Sequence, residues 1–204
     1  MRRTLIAVGL CLATATWLCL APSVGAETEK PVALPLDKWA LMIYGGIGTN
    51  GGIEDIPGLR PDFNDAYMLT AACSREVALW HDLLALEVEG QVAQHFKKQD
   101  HCEVNMLLAV RWMAFPWNDY TRTSFAVGEG VSYASSVPVI ERERSPDKTS
   151  KLLNYLMVEL ELAPPKQSRW SIFTRIHHRS NAYGLYGGAT TGSNILGIGV
   201  KYRF

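Results

Sequence analysis

This sequence predicts an all-β fold, an eight-stranded antiparallel transmembrane β-barrel. Three observations carry that expectation: eight strand-like runs of roughly ten residues, several with clear apolar–polar alternation, connections that are mostly longer at one end than at the other, and an exported-protein leader.

The leader comes first. Arg2 and Arg3 precede the apolar stretch TLIAVGLCLATATWLCLAP, and the small residues SVGA close it before Glu27. That arrangement reads as a signal peptide over residues 1–26, cleaved after Ala26, rather than as a membrane anchor. A short periplasmic segment is expected over residues 27–37, and the barrel over 38–204. The whole chain is formally neutral, and losing the leader removes two arginines and no acid. Nothing in that balance attracts nucleic acid. No second long apolar run follows the leader, so a mature chain that spans a membrane does so with strands.

The strand-like runs fall at about 38–47, 65–77, 83–95, 103–115, 122–134, 152–163, 169–180 and 195–204. Glu87, Glu89 and Gln91 share one face of the third run, opposite Leu86, Val88 and Val92. In the sixth, Glu159 and Glu161 oppose Leu156, Val158, Leu160 and Leu162. The last run sets Leu196, Ile198, Val200, Tyr202 and Phe204 against Gly197, Gly199, Lys201 and Arg203.

A soluble sandwich, or a secreted lipid-binding barrel, would bury the apolar faces, whereas a membrane barrel turns them to lipid. Connection length separates these readings. Four outer connections are expected, and apart from the short FKKQDHC they (GTNGGIEDIPGLRPDFN, SSVPVIERERSPDKTSK and NAYGLYGGATTGS) are much longer than LWHDL, PWNDYT or PPKQS, which matches long outer loops and short periplasmic turns. Trp39, Trp80, Trp112, Trp117, Trp170 and Tyr202 fall near the expected membrane borders, where interfacial aromatics belong.

The seventh run carries the chemistry. Its sequence RWSIFTRIHHRSN places Arg175, His177 and Arg179 on one parity and Ile176, His178 and Ser180 on the other. Buried carboxylates need cations, so Arg175, Arg179, Lys201 and Arg203 are assigned to the lumen beside the glutamates. His178 and Ser180 then face lipid at the outer end of the strand. A base beside a hydroxyl is how a serine nucleophile is activated. Two polar side chains in the headgroup zone are the ordinary alternative.

These residues, His178-Arg179-Ser180-Asn181 followed by the glycine-rich YGLYGGATTGSN, resemble the catalytic segment of the lipid A 3-O-deacylases of the Gram-negative outer membrane (PagL family). The likeness is concentrated in residues 175–204. It implies an outer-membrane hydrolase that removes the ester-linked acyl chain at position 3 of lipid A, without metal or cofactor. Lipid A, or lipopolysaccharide, would be its partner in the outer leaflet. Ser180 would be the nucleophile and His178 its base, with Asn181 or nearby backbone N–H groups holding the oxyanion. Family members orient the histidine with a glutamate early in strand eight. Here no acid follows Glu161, and the matching position falls at or beside Asn194. The same barrel without catalysis, an envelope structural or interaction protein, is the competing expectation.

Cys73 and Cys102 fall on non-neighbouring strands, which predicts no bridge between them. VIERERSPDK, with Arg142 and Arg144, reads as a solvated loop of mixed charge.

Overall fold

The structure is a computed structural model that describes residues 38–53, 61–146, 149–165, 168–181 and 192–204. The leader expected over 1–26 and the segment 27–37 lie outside the described residues.

Eight strands follow one another around a closed barrel: β1 Trp39–Thr49, β2 Phe63–Trp80, β3 Leu84–Lys97, β4 Cys102–Trp112, β5 Arg122–Ala134, β6 Leu152–Ala163, β7 Trp170–Ser180 and β8 Gly192–Arg203. Every neighbouring pair is antiparallel, and β8 closes on β1 through Ala40↔Arg203 to Thr49↔Asn194. Closure leaves no unpaired sheet edge, which a bilayer would penalise heavily. β2 exceeds its predicted length, running on past a register irregularity between Glu76 and Ala78. It ends in a tight turn where His81 and Asp82 both take positive φ, at 51° and 56°, and Leu83 N–H bonds to Trp80 O at 3.0 Å. Left-handed residues in a short hairpin turn match the twist of the strands they join.

The alternation is inverted relative to a water-soluble protein. Ile43, Val92, Met106, Leu108 and Ile198 are exposed on the outer surface, while Glu89, Glu159, Arg111, Arg175 and Lys201 are buried inside. An apolar exterior over a polar interior is the pattern of a barrel solvated by lipid. The six aromatics picked out from the sequence all gather at the short-turn end, at strand ends or in the turn after β4. The other rim carries Phe63, Phe96 and Tyr133 instead. Among the described residues, tryptophan falls on the short-turn side alone.

An eight-stranded barrel has room inside only for side chains. At mid-height Tyr44 and Phe173 pack edge to face, with centroids 5.7 Å apart. Gly199 makes space for them, since a Cβ there would come within 2.8 Å of the Phe173 ring. Around this pair runs an ionic lattice. Arg111 bonds Glu87 at 2.7 and 3.0 Å and Glu159 at 2.7 Å. Arg175 bonds both oxygens of Glu89, at 2.5 and 3.0 Å, and reaches Glu159 at 2.9 Å. Lys201 bridges Glu159 and Glu161 at 2.6 and 2.9 Å, and Arg203 caps Glu161 at 2.8 Å. Arg175, Lys201 and Arg203 take the lumenal places expected of them. Arg111, a central member, was not anticipated, although it shares the buried parity of Glu103 on β4.

The segment read as a solvated loop instead contains a short helix, α1 Val139–Arg144, with Ile140 and Glu141 buried. Arg144 donates to Gly192 O at 2.8 Å and also to the Asn50 carbonyl, tying α1 to the outer ends of β8 and β1. Mixed charge in sequence hid an inward-facing carboxylate. Cys73 and Cys102 are both free thiols.

Candidate active site

β7 rises to the long-loop end of the barrel, and its last turn of alternation sets His178 and Ser180 outward, each half-buried, while His177 and Arg179 are buried in the lumen. The register of β7 on β8 puts His178 directly opposite Asn194 and Ser180 opposite Gly192. Directly opposed residues in an antiparallel pair project on the same side of the sheet. His178 Nδ1 and Asn194 Oδ1 are hydrogen-bonded.

The orientation of that amide is set from its other end. Asn194 Nδ2 donates to Gly51 O at 2.8 Å. With the N–H group committed to a carbonyl, the side-chain oxygen is what faces the imidazole, and it can only accept. His178 Nδ1 must then carry the proton, leaving Nε2 with the lone pair that a base requires. Asn194 has the outward parity of Leu196 and Ile198, yet it is only 3% exposed. The sequence pattern marked its face but not its cover, which includes Gly51 beyond the end of β1.

Two further polar residues share this outward patch and escaped the sequence reading. Asn154 on β6 is the direct partner of Ser180 and is largely buried. Thr49 on β1 is the direct partner of Asn194, 2% exposed, with a hydroxyl that has no hydrogen-bond partner among the described residues. Outward parity was visible for Asn154 in the alternation of its run, whereas Thr49 was read as part of the connection after the first run and lies in β1 instead. Their adjacency to the histidine and serine was not visible, because it depends on register across three strands. Asn181, the residue after Ser180, is buried at the end of β7. The following glycine-rich segment, 182–191, lies outside the described residues.

The lumen side of the same strands is stapled. Arg179, which lies between His178 and Ser180 in sequence, donates to Glu141 at 2.9 Å and to Ser132 at 2.7 Å. Ser193, next to Asn194, donates to the same Glu141 oxygen at 3.0 Å. One carboxylate from α1 thus holds the backbones that present the histidine and its asparagine. Burial raises the Glu141 carboxyl above its ordinary range, although Arg179 beside it pulls the other way.

Chemically the patch brings together a hydroxyl, an imidazole bonded through Nδ1, the amide that accepts from it and a second amide opposite the hydroxyl, all at the long-loop end of the barrel. The set suits acyl transfer.

The sequence matches no protein-family model and none of the curated proteins. Among solved structures, the outer membrane enzyme PagL is similar with a TM-score of 0.58 and 14% identity, over 81% of this chain and 99% of that one. Neisserial surface protein A gives 0.49 and 8% identity over 81% and 96% of the two chains. The N-terminal β-barrel domain of Pseudomonas aeruginosa OprF gives 0.45 and 8% over 82% and 98%. At these identities the likeness is one of fold.

Proposed function

We propose that this chain resides in the Gram-negative outer membrane and hydrolyses an ester-linked acyl chain of a lipid in the outer leaflet, with lipid A, cut at position 3, as substrate. The observation that carries the reading is the His178–Asn194 hydrogen bond on the outward face, with Ser180 two residues along that face.

Ser180 Oγ attacks the acyl carbonyl while its proton passes to His178 Nε2. The carbonyl oxygen becomes an oxyanion, and the bond to the sugar oxygen then breaks as His178 returns the proton to that leaving alcohol. Water, deprotonated by the same imidazole, releases the fatty acid and restores Ser180. Asn194 accepts from Nδ1 throughout and holds the ring in place. The Asn181 backbone N–H and the Asn154 side-chain amide, opposite Ser180 on β6, are the candidates to donate to the oxyanion, each worth a few kcal/mol. The substrate enters sideways from the leaflet, which is why a catalytic pair faces outward at this height. The fold's likeness to an outer membrane enzyme supports the reading without specifying the reaction.

The missing carboxylate favours one competing reading, a barrel of this shape that has lost catalysis and serves the envelope structurally or by interaction. Mass spectrometry of lipid A incubated with refolded protein separates them. Wild type is expected to remove one 3-linked chain, and Ser180→Ala to remove none. Intact lipid A after incubation with a correctly folded wild-type barrel would establish the non-catalytic reading.

A further inference from the structure

Four of the five histidines in the chain lie in the outer half of the barrel, and three of them surround one glutamate. Glu103, at the outer end of β4, is fully buried. Its Oε2 lies 3.1 Å from His95 Nε2 and 3.8 Å from His101 Nε2, and its Oε1 lies 2.8 Å from His177 Nε2. None of this belongs to the outward patch: His95, His101 and His177 are all buried on the lumenal side.

We infer that His95, His101 and Glu103 form a binding site for one divalent transition metal of the zinc class. Their donor atoms lie within 4.8 Å of one another. A four-coordinate zinc with bonds of about 2.0–2.1 Å spaces its donors by roughly 3.3 Å. The 3.1 and 3.8 Å separations to Glu103 bracket that spacing. Two imidazoles and a carboxylate suit zinc, nickel or cobalt and do not suit calcium or magnesium, which prefer all-oxygen sets.

Two independent features point the same way. Among the described residues, His101 Nε2 is buried without a hydrogen bond, as are both amide atoms of Gln99, two residues earlier in the β3–β4 connection. A buried imidazole nitrogen that meets a carboxylate at 3.8 Å is too far for a hydrogen bond but well placed to share an ion with it. The stacking of His95 on His101, 4.2 Å between centroids, points both rings the same way. His177 completes the arrangement without being a ligand. Its Nε2 grips the other oxygen of Glu103, and its Nδ1 meets Tyr44 Oη at 3.2 Å, the kind of outer support that orients metal-binding carboxylates. The Arg179 guanidinium, 3.5 Å from Glu103 Oε2, is an opposing charge, and it is held more closely by Glu141 at 2.9 Å.

The proposal is independent of the hydrolase reading. Its test uses full-length, untagged, refolded protein in chelator-free detergent buffer, titrated with Co²⁺ and followed by visible d–d absorption, then with Zn²⁺ in competition. Wild type is expected to bind one equivalent of each. Glu103→Gln and His101→Asn should weaken binding by at least about tenfold. His81→Asn, which alters the exposed histidine of the β2–β3 turn, should bind as wild type. Folding of each variant is checked by its heat-modifiable gel mobility. The absence of saturable binding to wild type overturns the site whatever the variants do. So does undiminished binding in folded Glu103→Gln and His101→Asn.

Discussion

His178 and Asn194 face each other across the β7–β8 pair, and the imidazole Nδ1 is bonded to the amide oxygen because the amide nitrogen is already bound to Gly51 O. An asparagine in this role usually threatens catalysis by presenting its N–H₂ to the histidine and selecting the wrong tautomer, a change that costs about 10⁴ in rate in the serine proteases. Here the Gly51 carbonyl removes that choice. What remains missing is only the charge that would stabilise an imidazolium.

Asn194 variants separate these two contributions. Asn194→Ala should lower kcat by roughly 10- to 100-fold with little change in KM, since orientation is lost while the nucleophile stays. Asn194→Asp should raise kcat above wild type, because a carboxylate at this position adds the missing charge. Steady-state kinetics on a micellar acyl ester measure both. A kcat for Asn194→Ala equal to wild type would remove Asn194 from the mechanism.

Asn154 stands opposite Ser180 on the next strand, on the same face. If its amide meets the oxyanion, Asn154→Ala should lower kcat by about 10²-fold, the usual effect of losing one such donor, and leave KM nearly unchanged. An unchanged kcat would leave the backbone N–H of Asn181 as the remaining candidate.

Glu159 is the hub of the lumenal lattice, bound to Arg111, Arg175 and Lys201 at zero exposure. Neutralising it leaves buried cations undercompensated, so Glu159→Gln should destabilise the barrel by about 3–5 kcal/mol. Urea unfolding in lipid vesicles, followed by tryptophan fluorescence, reads this directly. The deficit should be smaller when Lys201→Met accompanies it.

Ile198 is 69% exposed on the outer surface of β8, whereas Lys201 on the same strand is buried. With the exterior in lipid, Ile198→Lys should cost about 2–4 kcal/mol in the same unfolding assay. A negligible cost would show that this face meets water, and the outer-membrane placement would have to be given up.

Much of the fold was legible in the sequence because the direction of a side chain from a strand is a local property. Alternation in residues 84–92 and 152–163 was enough to turn Glu87, Glu89, Glu159 and Glu161 inward, and the same parity rule set His178 and Ser180 outward beside a lumenal His177. The inversion of that pattern, with unequal connections, determined the barrel. A short charged segment such as VIERER carries no such period, so the inward turn of Glu141 was invisible.

The sequence by itself therefore determined eight strands, their inward and outward faces, and the pair His178 and Ser180 at an outer strand end. Tertiary structure decided who meets whom: Asn194 with His178, Asn154 with Ser180, Glu141 with Arg179 and Ser193, and His95, His101 and His177 around Glu103. The physical reason is register. Pleating sets each face within one strand, but the stagger at which eight strands close is fixed only when every turn, bulge and lumenal ion pair is satisfied at once.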